Sequence, residues 1–325
     1  MKFASPMRFA GLLLSAVTLG VSGAVHAQSW PDKTVRIIVP FGPGGGTDIQ
    51  GRLLGKKFYE SMGQTFVVDN RAGAAGLIGA ELAVKSPPDG YTILFTTASL
   101  SVNVTLYKKS LTFDPLKDLT PVCWISSVPL VLVAHPSVPV KSVKEIIALA
   151  KKTGKLNAGS NGAGTTSYLA VEMFKQATGA SVVNVPYKGG GPAITALISG
   201  EVDFEFATAL AAKPHVDSGK VKAFAVTTAK PAKAYPNLPT MTSTYPDFDV
   251  DNWYAMFMPA GTPKPIVDKL HAEILKALKA SDVQEFMARE GGQPVGSTPE
   301  ELTAMFKREI AKYAKVIEAG HIAVQ

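Results

Sequence analysis

Short runs of β-branched and aromatic residues alternate along this chain with stretches whose apolar positions recur every three to four residues. That alternation predicts βαβ units and a largely parallel sheet. Residues 35–40, Val-Arg-Ile-Ile-Val-Pro, form the first predicted strand. Beyond a turn at residues 41–47, Ile49, Leu53, Leu54 and Phe58 fall on one helical face. Residues 65–70 predict the next strand, 77–84 a helix and 91–95 a third strand, with Asp89-Gly90 supplying the turn before it. A second series follows: a helix from Val143, a strand near 156–159, a helix from about Ser167, a strand at 181–185, a helix at 193–198, and strands at 202–206 and 222–227.

Helix starts late in the chain carry their own punctuation. Ser142-x-x-Glu145, Ser281-x-x-Gln284 and Thr298-Pro299-x-Glu301 each fit a capping box, the last with proline at the first helical position. Two apolar segments, residues 128–134 and 252–258, divide the chain into thirds. They read as crossings between two domains that share a cleft, although one continuous sheet would give a similar periodicity.

The first 27 residues differ from everything after them. Lys2 and Arg8 precede an uncharged stretch centred on Leu12-Leu13-Leu14, which ends in Val25-His26-Ala27. A basic start, an apolar core and a small-x-small end predict an export signal cleaved after Ala27. The apolar core is too short and too interrupted by Ser15, Thr18, Gly20 and Ser22 to be read as a membrane span. Cleavage would leave 298 of 325 residues and lower the basic count from 33 to 31 against 26 acidic, a net charge of about +5. That charge is spread without a Lys/Arg block, so a nucleic-acid partner is not expected. Cys123 is the single cysteine and sits in an apolar context, which excludes an internal disulfide and predicts a buried thiol.

Candidate chemistry gathers in three glycine-rich loops. Pro40-Phe-Gly-Pro-Gly-Gly-Gly-Thr-Asp48 joins a predicted strand to a helix. Glycines there permit close approach of a ligand, and the following helix start offers unpaired N–H groups to an anion. It lacks the Lys-Ser/Thr of a P-loop, and the last glycine of a dinucleotide fingerprint is Thr47. A plain turn with Thr47 or Asp48 as helix cap is the competing reading. Gly159-Ser-Asn-Gly-Ala-Gly-Thr-Thr-Ser167 repeats the arrangement, and Pro186-Tyr-Lys-Gly-Gly-Gly-Pro192 adds Lys188 as a charge and Tyr187 as a hydroxyl or wall. Three such loops point to one ligand site at the carboxyl ends of the strands. Catalytic patterns are thin by comparison. His135, His215, His271 and His321 have no metal-ligand spacing, no Gly-x-Ser-x-Gly elbow occurs, and no histidine lies in the three loops. Asp48, Asp89 and Asp203 read as a helix cap, a turn and a strand-end partner before they read as bases. No metal or other cofactor is expected.

The chain resembles the tripartite tricarboxylate transporter substrate-binding proteins, the Bug receptor family. The matching stretches run in family order: Val39-Pro-Phe-Gly-Pro-Gly-Gly-Gly-Thr-Asp48, Asn70-Arg-Ala-Gly-Ala-Ala-Gly76, Asp89-Gly-Tyr-Thr92, Asp118-Leu-Thr-Pro-Val122, Val185-Pro-Tyr-Lys-Gly189, Gly200-Glu-Val-Asp203, and Trp253-Tyr254 leading to Pro259-Ala-Gly-Thr-Pro263. The resemblance implies an α/β, two-lobed periplasmic-binding-protein fold of the type II, Venus-flytrap kind, each lobe a mixed sheet flanked by helices. It implies lobe 1 at residues 28–127 plus 252–325 and lobe 2 at 128–251. It also implies a carboxylate held mainly by backbone amides and hydroxyls. By position the first-lobe contacts would be Phe41, Gly44, Gly45, Gly46, Thr47 and Asp48 with Thr97, Ala98 and Ser99. The second-lobe contacts would be Ser160, Asn161, Gly164, Thr165, Thr166 and Ser167, helped by Tyr187, Lys188, Ala207 and Thr208. Many members carry histidine where Ser167 stands and an Asp-Asn-like pair where Ala207-Thr208 stands, and loss of that acidic group would suit a ligand without an ammonium.

The function so implied is a monomeric periplasmic solute-binding protein, not an enzyme. It would capture a small di-, tri- or aromatic carboxylate and present it to the membrane subunits of a tripartite transporter or to a sensor kinase. The alternative is a secreted α/β hydrolytic enzyme acting on a small acid or ester, which requires Ser160, Ser167 or Asp48 to converge with a base.

Overall fold

The computed structural model describes Met1, residues 30–289 and residues 291–322. Met1 apart, the export segment read at residues 1–27 lies outside the described residues. From the first described strand, β1 (Val35–Val39) leads into α1 (Gly46–Met62), β2 (Phe66–Asn70), α2 (Leu77–Val84), β3 (Thr92–Thr97), α3 (Ser99–Leu106), the single turn α4 (Pro115–Asp118) and the long β4 (Leu119–Ser127). The chain crosses to β5 (Leu130–Ala134), α5 (Val143–Thr153), β6 (Leu156–Ser160), α6 (Thr166–Thr178), β7 (Val182–Pro186), α7 (Gly190–Ser199), β8 (Phe204–Thr208), α8 (Ala209–Asp217) and β9 (Lys222–Val226). It returns through β10 (Tyr254–Pro259), α9 (Lys264–Ala277), α10 (Ser281–Arg289), the short β11 (Gln293–Pro294) and α11 (Pro299–Ala319).

The strands form two mixed sheets, ordered β11-β4-β10-β3-β1-β2 and β7-β6-β8-β5-β9. In the first, β1 is parallel to β2 and β3, while β10 lies antiparallel between β3 and β4. In the second, β6 is parallel to β7 and β8, while β5 runs antiparallel between β8 and β9. Helices flank both sheets, and the result is a two-lobed α/β fold. The apolar runs at 128–134 and 252–258, read in the sequence as crossings, are for most of their length the strands β5 and β10. Every residue of both strands is buried, because each strand is central in its sheet and covered on both faces. The crossings themselves are only the few residues that precede each strand.

Local chemistry explains most helix boundaries. In α5, Ser142 Oγ accepts from the Glu145 amide, Ile146, Ile147 and Ala150 face the core, and Gly154 closes the helix in the left-handed region at φ +69°. Glu145, however, accepts from the Lys141 amide and not from Ser142, so the box is only half formed. In α11 it is complete: Thr298 Oγ1 accepts from the Glu301 amide at 3.2 Å and Glu301 Oε2 accepts from the Thr298 amide at 2.9 Å. The box expected at Ser281 does not form. Ser281 already lies inside α10, because the Gln284 amide donates to the Ala280 carbonyl one residue earlier.

The C-terminal helix and two short crossings tie the lobes together. Leu302, Met305 and Phe306 of α11 pack with Trp253 and Phe257 of the first lobe, while Tyr313 and Ile317 join the second-lobe core around Phe204, Phe206 and Phe248. At the crossings Asp251 accepts from Ser127 Oγ at 2.6 Å and from the Val128 amide at 3.0 Å, and the Asn252 amide donates to the Val128 carbonyl. Thr227 Oγ1 donates to the Val250 carbonyl at 2.6 Å and accepts from the Leu130 amide at 3.0 Å. The outgoing and returning chains are thus stapled side by side.

Candidate functional site

Each lobe presents a glycine loop at the carboxyl end of a parallel strand, and the two loops match at the glycine and the N-cap residue that lead into the helix. Gly44, between β1 and α1, has φ +80°; Gly164, at the matching place between β6 and α6, has φ +81°. A glycine is needed at both because a side chain rarely tolerates this region. In the first loop Gly45 is the N-cap of α1 and no side chain caps the helix, which leaves its first amides without side-chain partners. Neither Thr47 nor Asp48 therefore serves as the cap that the plain-turn reading required.

Asp48 instead braces the loop. Its Oδ2 accepts from the Gly44 amide at 2.9 Å and Arg52 Nη2 lies 2.9 Å from its Oδ1. Asn70 completes the brace, donating to the Phe41 carbonyl at 3.0 Å and accepting from Arg52 at 3.1 Å. Burial pushes the Asp48 carboxyl up, but its bonds with Arg52, Gly44 and Asn70 outweigh burial and hold it below its ordinary value. It is an ionised, paired acid whose charge is answered locally.

In the second loop Thr165 caps α6, accepting from the Tyr168 amide at 3.3 Å and donating to the Gly162 carbonyl at 2.7 Å. Thr166 Oγ1 reaches Asn252 Oδ1 at 3.0 Å, which links this loop to the returning crossing. Ser160 Oγ donates to Asn184 Oδ1 at 2.7 Å, and Ser167 Oγ, fully buried, donates to the Phe206 carbonyl at 2.8 Å. Asn161 keeps a buried Oδ1 that no described residue satisfies. Tyr187 donates its hydroxyl to Glu201 at 2.7 Å; burial first, then that bond, pushes its phenol up to about 12, so it stays neutral. Lys188 is exposed, Ala207 packs its methyl in the core beside Ala209 and Ala212, and Thr208 caps α8.

Phe41 and residues 44–48 therefore share the first-lobe rim with residues 97–99, at the ends of β1 and β3. The second-lobe rim holds residues 160–167, 187–188 and 208, at the ends of β6, β7 and β8. These rims are rich in backbone amides and hydroxyls, and their charged side chains are Asp48, paired with Arg52, and the exposed Lys188. The Ser160 and Ser167 hydroxyls are engaged with an amide and a carbonyl, while His135 bonds Ser137 and His271 bonds the Ser297 carbonyl. Among the described residues no group of three or more His, Cys, Asp or Glu could hold a metal. A cavity of about 610 Å³ on the second lobe, lined in part by Phe224 and Tyr245, shares no residue with either glycine loop.

Three features of this region were not singled out from the sequence. Asn252 receives Thr166, Asn103 lies fully buried in α3, and the turn at Ala74-Ala75 has two consecutive alanines at φ +45° and +51°. The family stretch from Asn70 to Gly76 contains that turn, but its unusual backbone is invisible in residue names.

Residues 51–322 match the tripartite tricarboxylate transporter family receptor. The chain belongs to this family. It is 36% identical to the protein BugT of Bordetella pertussis over 304 residues, spanning 92% of this chain and 93% of BugT. Among solved structures it is similar to the R. palustris protein Rpa4515 with adipate, at 34% identity and TM-score 0.84, covering 90% of this chain and 99% of that one. It is similar as well to MatC from Rhodopseudomonas palustris with bound malate, at 31% identity and TM-score 0.80, covering 88% and 99%. The tricarboxylate-transporter receptors are solute-binding proteins, and the two-lobed frame described above is theirs. Among the described residues no helix is long and apolar enough to cross a membrane.

Proposed function

We propose that this receptor captures a small carboxylate between its lobes in the periplasm and hands it to the membrane subunits of a tripartite transporter. The observation that carries the reading is the pair of glycine loops, one per lobe, each turning at a left-handed glycine, Gly44 or Gly164, into a helix start, with the charged side chain of the first, Asp48, paired to Arg52. A carboxylate bound there would take hydrogen bonds from the amides of residues 44–47 on one side and from the amides and hydroxyls of residues 161–166 on the other. Residues 97–99, Ser160, Ser167, Tyr187, Lys188, Ala207 and Thr208 would complete the walls directly or from behind. In this reading lobe 1 comprises residues 28–127 plus 252–325 and lobe 2 residues 128–251, with α11 bolted across both. Adipate and malate in two relatives support a dicarboxylate as the ligand class. Ala207-Thr208 adds no acid at the second-lobe rim, and Asp48 is already paired with Arg52, which favours an acid without an ammonium. Contacts from both lobes at once make the closed form the ligand-bound form. In this reading the chain carries out no chemistry of its own: the Ser160 and Ser167 hydroxyls donate to Asn184 and to the Phe206 carbonyl, neither of which is a base.

A thermal-shift screen of residues 28–325 against di-, tri- and aromatic carboxylates and their amides tests this. An acid at 100 times its Kd adds about 2.7 kcal/mol, roughly 5 °C for a chain of this length. Gly45 has φ −81° and an added Cβ would meet only the Gly42 carbonyl, at an ordinary 3.7 Å, so Gly45→Leu should fold normally and lose the shift by filling the cleft. No shift with any acid, on protein unfolded and refolded to remove carried-over ligand, refutes the reading.

A further inference from the structure

The surroundings of the two matching glycines differ. A Cβ added at Gly44 would meet nothing within 4 Å, whereas one added at Gly164 would fall 2.5 Å from Asn103 Oδ1 and 2.9 Å from the Ala75 methyl. Both neighbours belong to the first lobe, so Gly164 marks where the second lobe touches the first across the cleft. Real Cβ atoms do not approach other atoms so closely, and only glycine fits.

Asn103 stands at the centre of this contact. Its side chain is fully buried, its Nδ2 donates to the Ala75 carbonyl at 2.8 Å, and its Oδ1 has no donor among the described residues. The bond to Ala75 holds a turn in which Ala74 and Ala75 both occupy the left-handed region, at φ +45° and +51°, where alanine is disfavoured. Without that brace the turn has a strong reason to relax. The chain on either side is anchored, since the Arg71 amide donates to the Val39 carbonyl and α2 begins at Leu77.

We propose that Asn103 is a positioning residue for lobe closure: it braces the Ala74-Ala75 turn against Gly164, and the missing side chain at 164 sets how far the lobes close. The inference rests on the receptor reading above. If only the closed form holds the carboxylate tightly, apparent affinity scales with the fraction of molecules able to close. A methyl at 164 then weakens binding by obstructing closure, which the compaction measurement separates from any loss of a loop hydrogen bond to the ligand.

The test measures Kd by calorimetry for malate, adipate, citrate and benzoate on residues 28–325, with ligand-induced compaction followed by small-angle scattering. Gly164→Ala should raise Kd by about tenfold or more and abolish the compaction. Gly179, which ends α6 at φ +62° in open space, supplies the backbone control. Gly179→Ala should lower Tm and leave Kd unchanged. Asn103→Ala/Gly164→Ala should bind more tightly than Gly164→Ala, because the clashing oxygen is gone and the turn is free to give way. Asn103→Asp, which keeps the shape but sets a carboxylate against the Ala75 carbonyl, should weaken binding about fivefold or more. A Kd for Gly164→Ala within about twofold of wild type, or Asn103 and Gly164 effects that simply add, overturns the inference. Should Gly164→Ala fail to fold, Asn103→Asp decides, and an unchanged Kd overturns it. Wild-type protein that binds none of these acids brings down the receptor reading itself, an outcome distinct from wild type binding and Gly164→Ala binding equally well.

Discussion

Replacing Glu205 should make this protein more stable at alkaline pH and remove much of the pH dependence of its unfolding. Glu205 is the second residue of β8, opposite Val133 on one side and Gly159 on the other, and it is fully buried. Neither carboxylate oxygen has a hydrogen-bond partner among the described residues. Burial alone pushes its pKa from 4.5 to about 8. A group whose folded pKa is raised contributes stability that is present in full below the unfolded pKa and is lost as pH rises through the folded one. The window here is therefore pH 4.5 to 8. At about 1.4 kcal/mol for each pH unit, the loss across it approaches 5 kcal/mol as an upper limit. Glu205→Gln has nothing to ionise. Guanidinium unfolding at pH 5 and pH 8.5 should show wild type losing several kcal/mol and the variant losing much less, so that Glu205→Gln is the more stable protein at pH 8.5. Other acids with raised pKa values, Asp251 among them, contribute equally to both proteins and cancel in the difference. Equal pH dependence in the two proteins, or a Glu205→Gln variant less stable at pH 8.5, would refute the account of Glu205 as an unpaired buried acid.

Asp251→Ala should cost about 1 to 3 kcal/mol in denaturant unfolding, because it strips the acceptor from the buried Val128 amide at the strap between the lobes. Burial raises Asp251 to about 7 despite its bonds from Ser127 and Val128, so its contribution also falls between pH 3.8 and about 7, and Asp251→Asn should flatten that part of the profile. Phe306→Ala should cost about 3 to 5 kcal/mol, since the ring is enclosed by Trp253 at 6.0 Å and Phe257 at 5.5 Å where α11 meets the first lobe. Cys123, fully buried and pushed by burial up to about 12, should resist a thiol reagent in native protein at pH 8 and react in guanidinium; rapid native labelling would contradict its placement.

Much of this protein follows from residue order alone. The strand, glycine loop and helix at 35–58, the half-cap at Ser142 and the complete box at Thr298 depend on contacts within a few residues, and local periodicity and side-chain chemistry report such contacts directly. The buried thiol at Cys123 was legible for the same reason. The candidate cleft was partly legible: glycine loops announce themselves by composition, and their family order raised three weak signals into one. What the sequence could not contain was the answer to which faces are covered. In Val202-Asp-Phe-Glu-Phe206 the alternation assigns Phe204 and Phe206 to a core and Glu205 to solvent, yet helices cover both faces of that sheet and leave the carboxyl without water. Ser99-Leu-Ser-Val-Asn-Val-Thr-Leu106 reads as an alternating, β-branched run, and packing against α11 and the second-lobe core makes it α3, with Asn103 buried in the middle. Ser281 had the letters of a cap, but the preceding turn already occupied the position. Gly164, Ala75 and Asn103 are scattered over 89 positions and meet only because two sheets are strapped together by Asp251 and α11. Local interactions chose the elements, and long-range burial decided which polar groups would have to live without water.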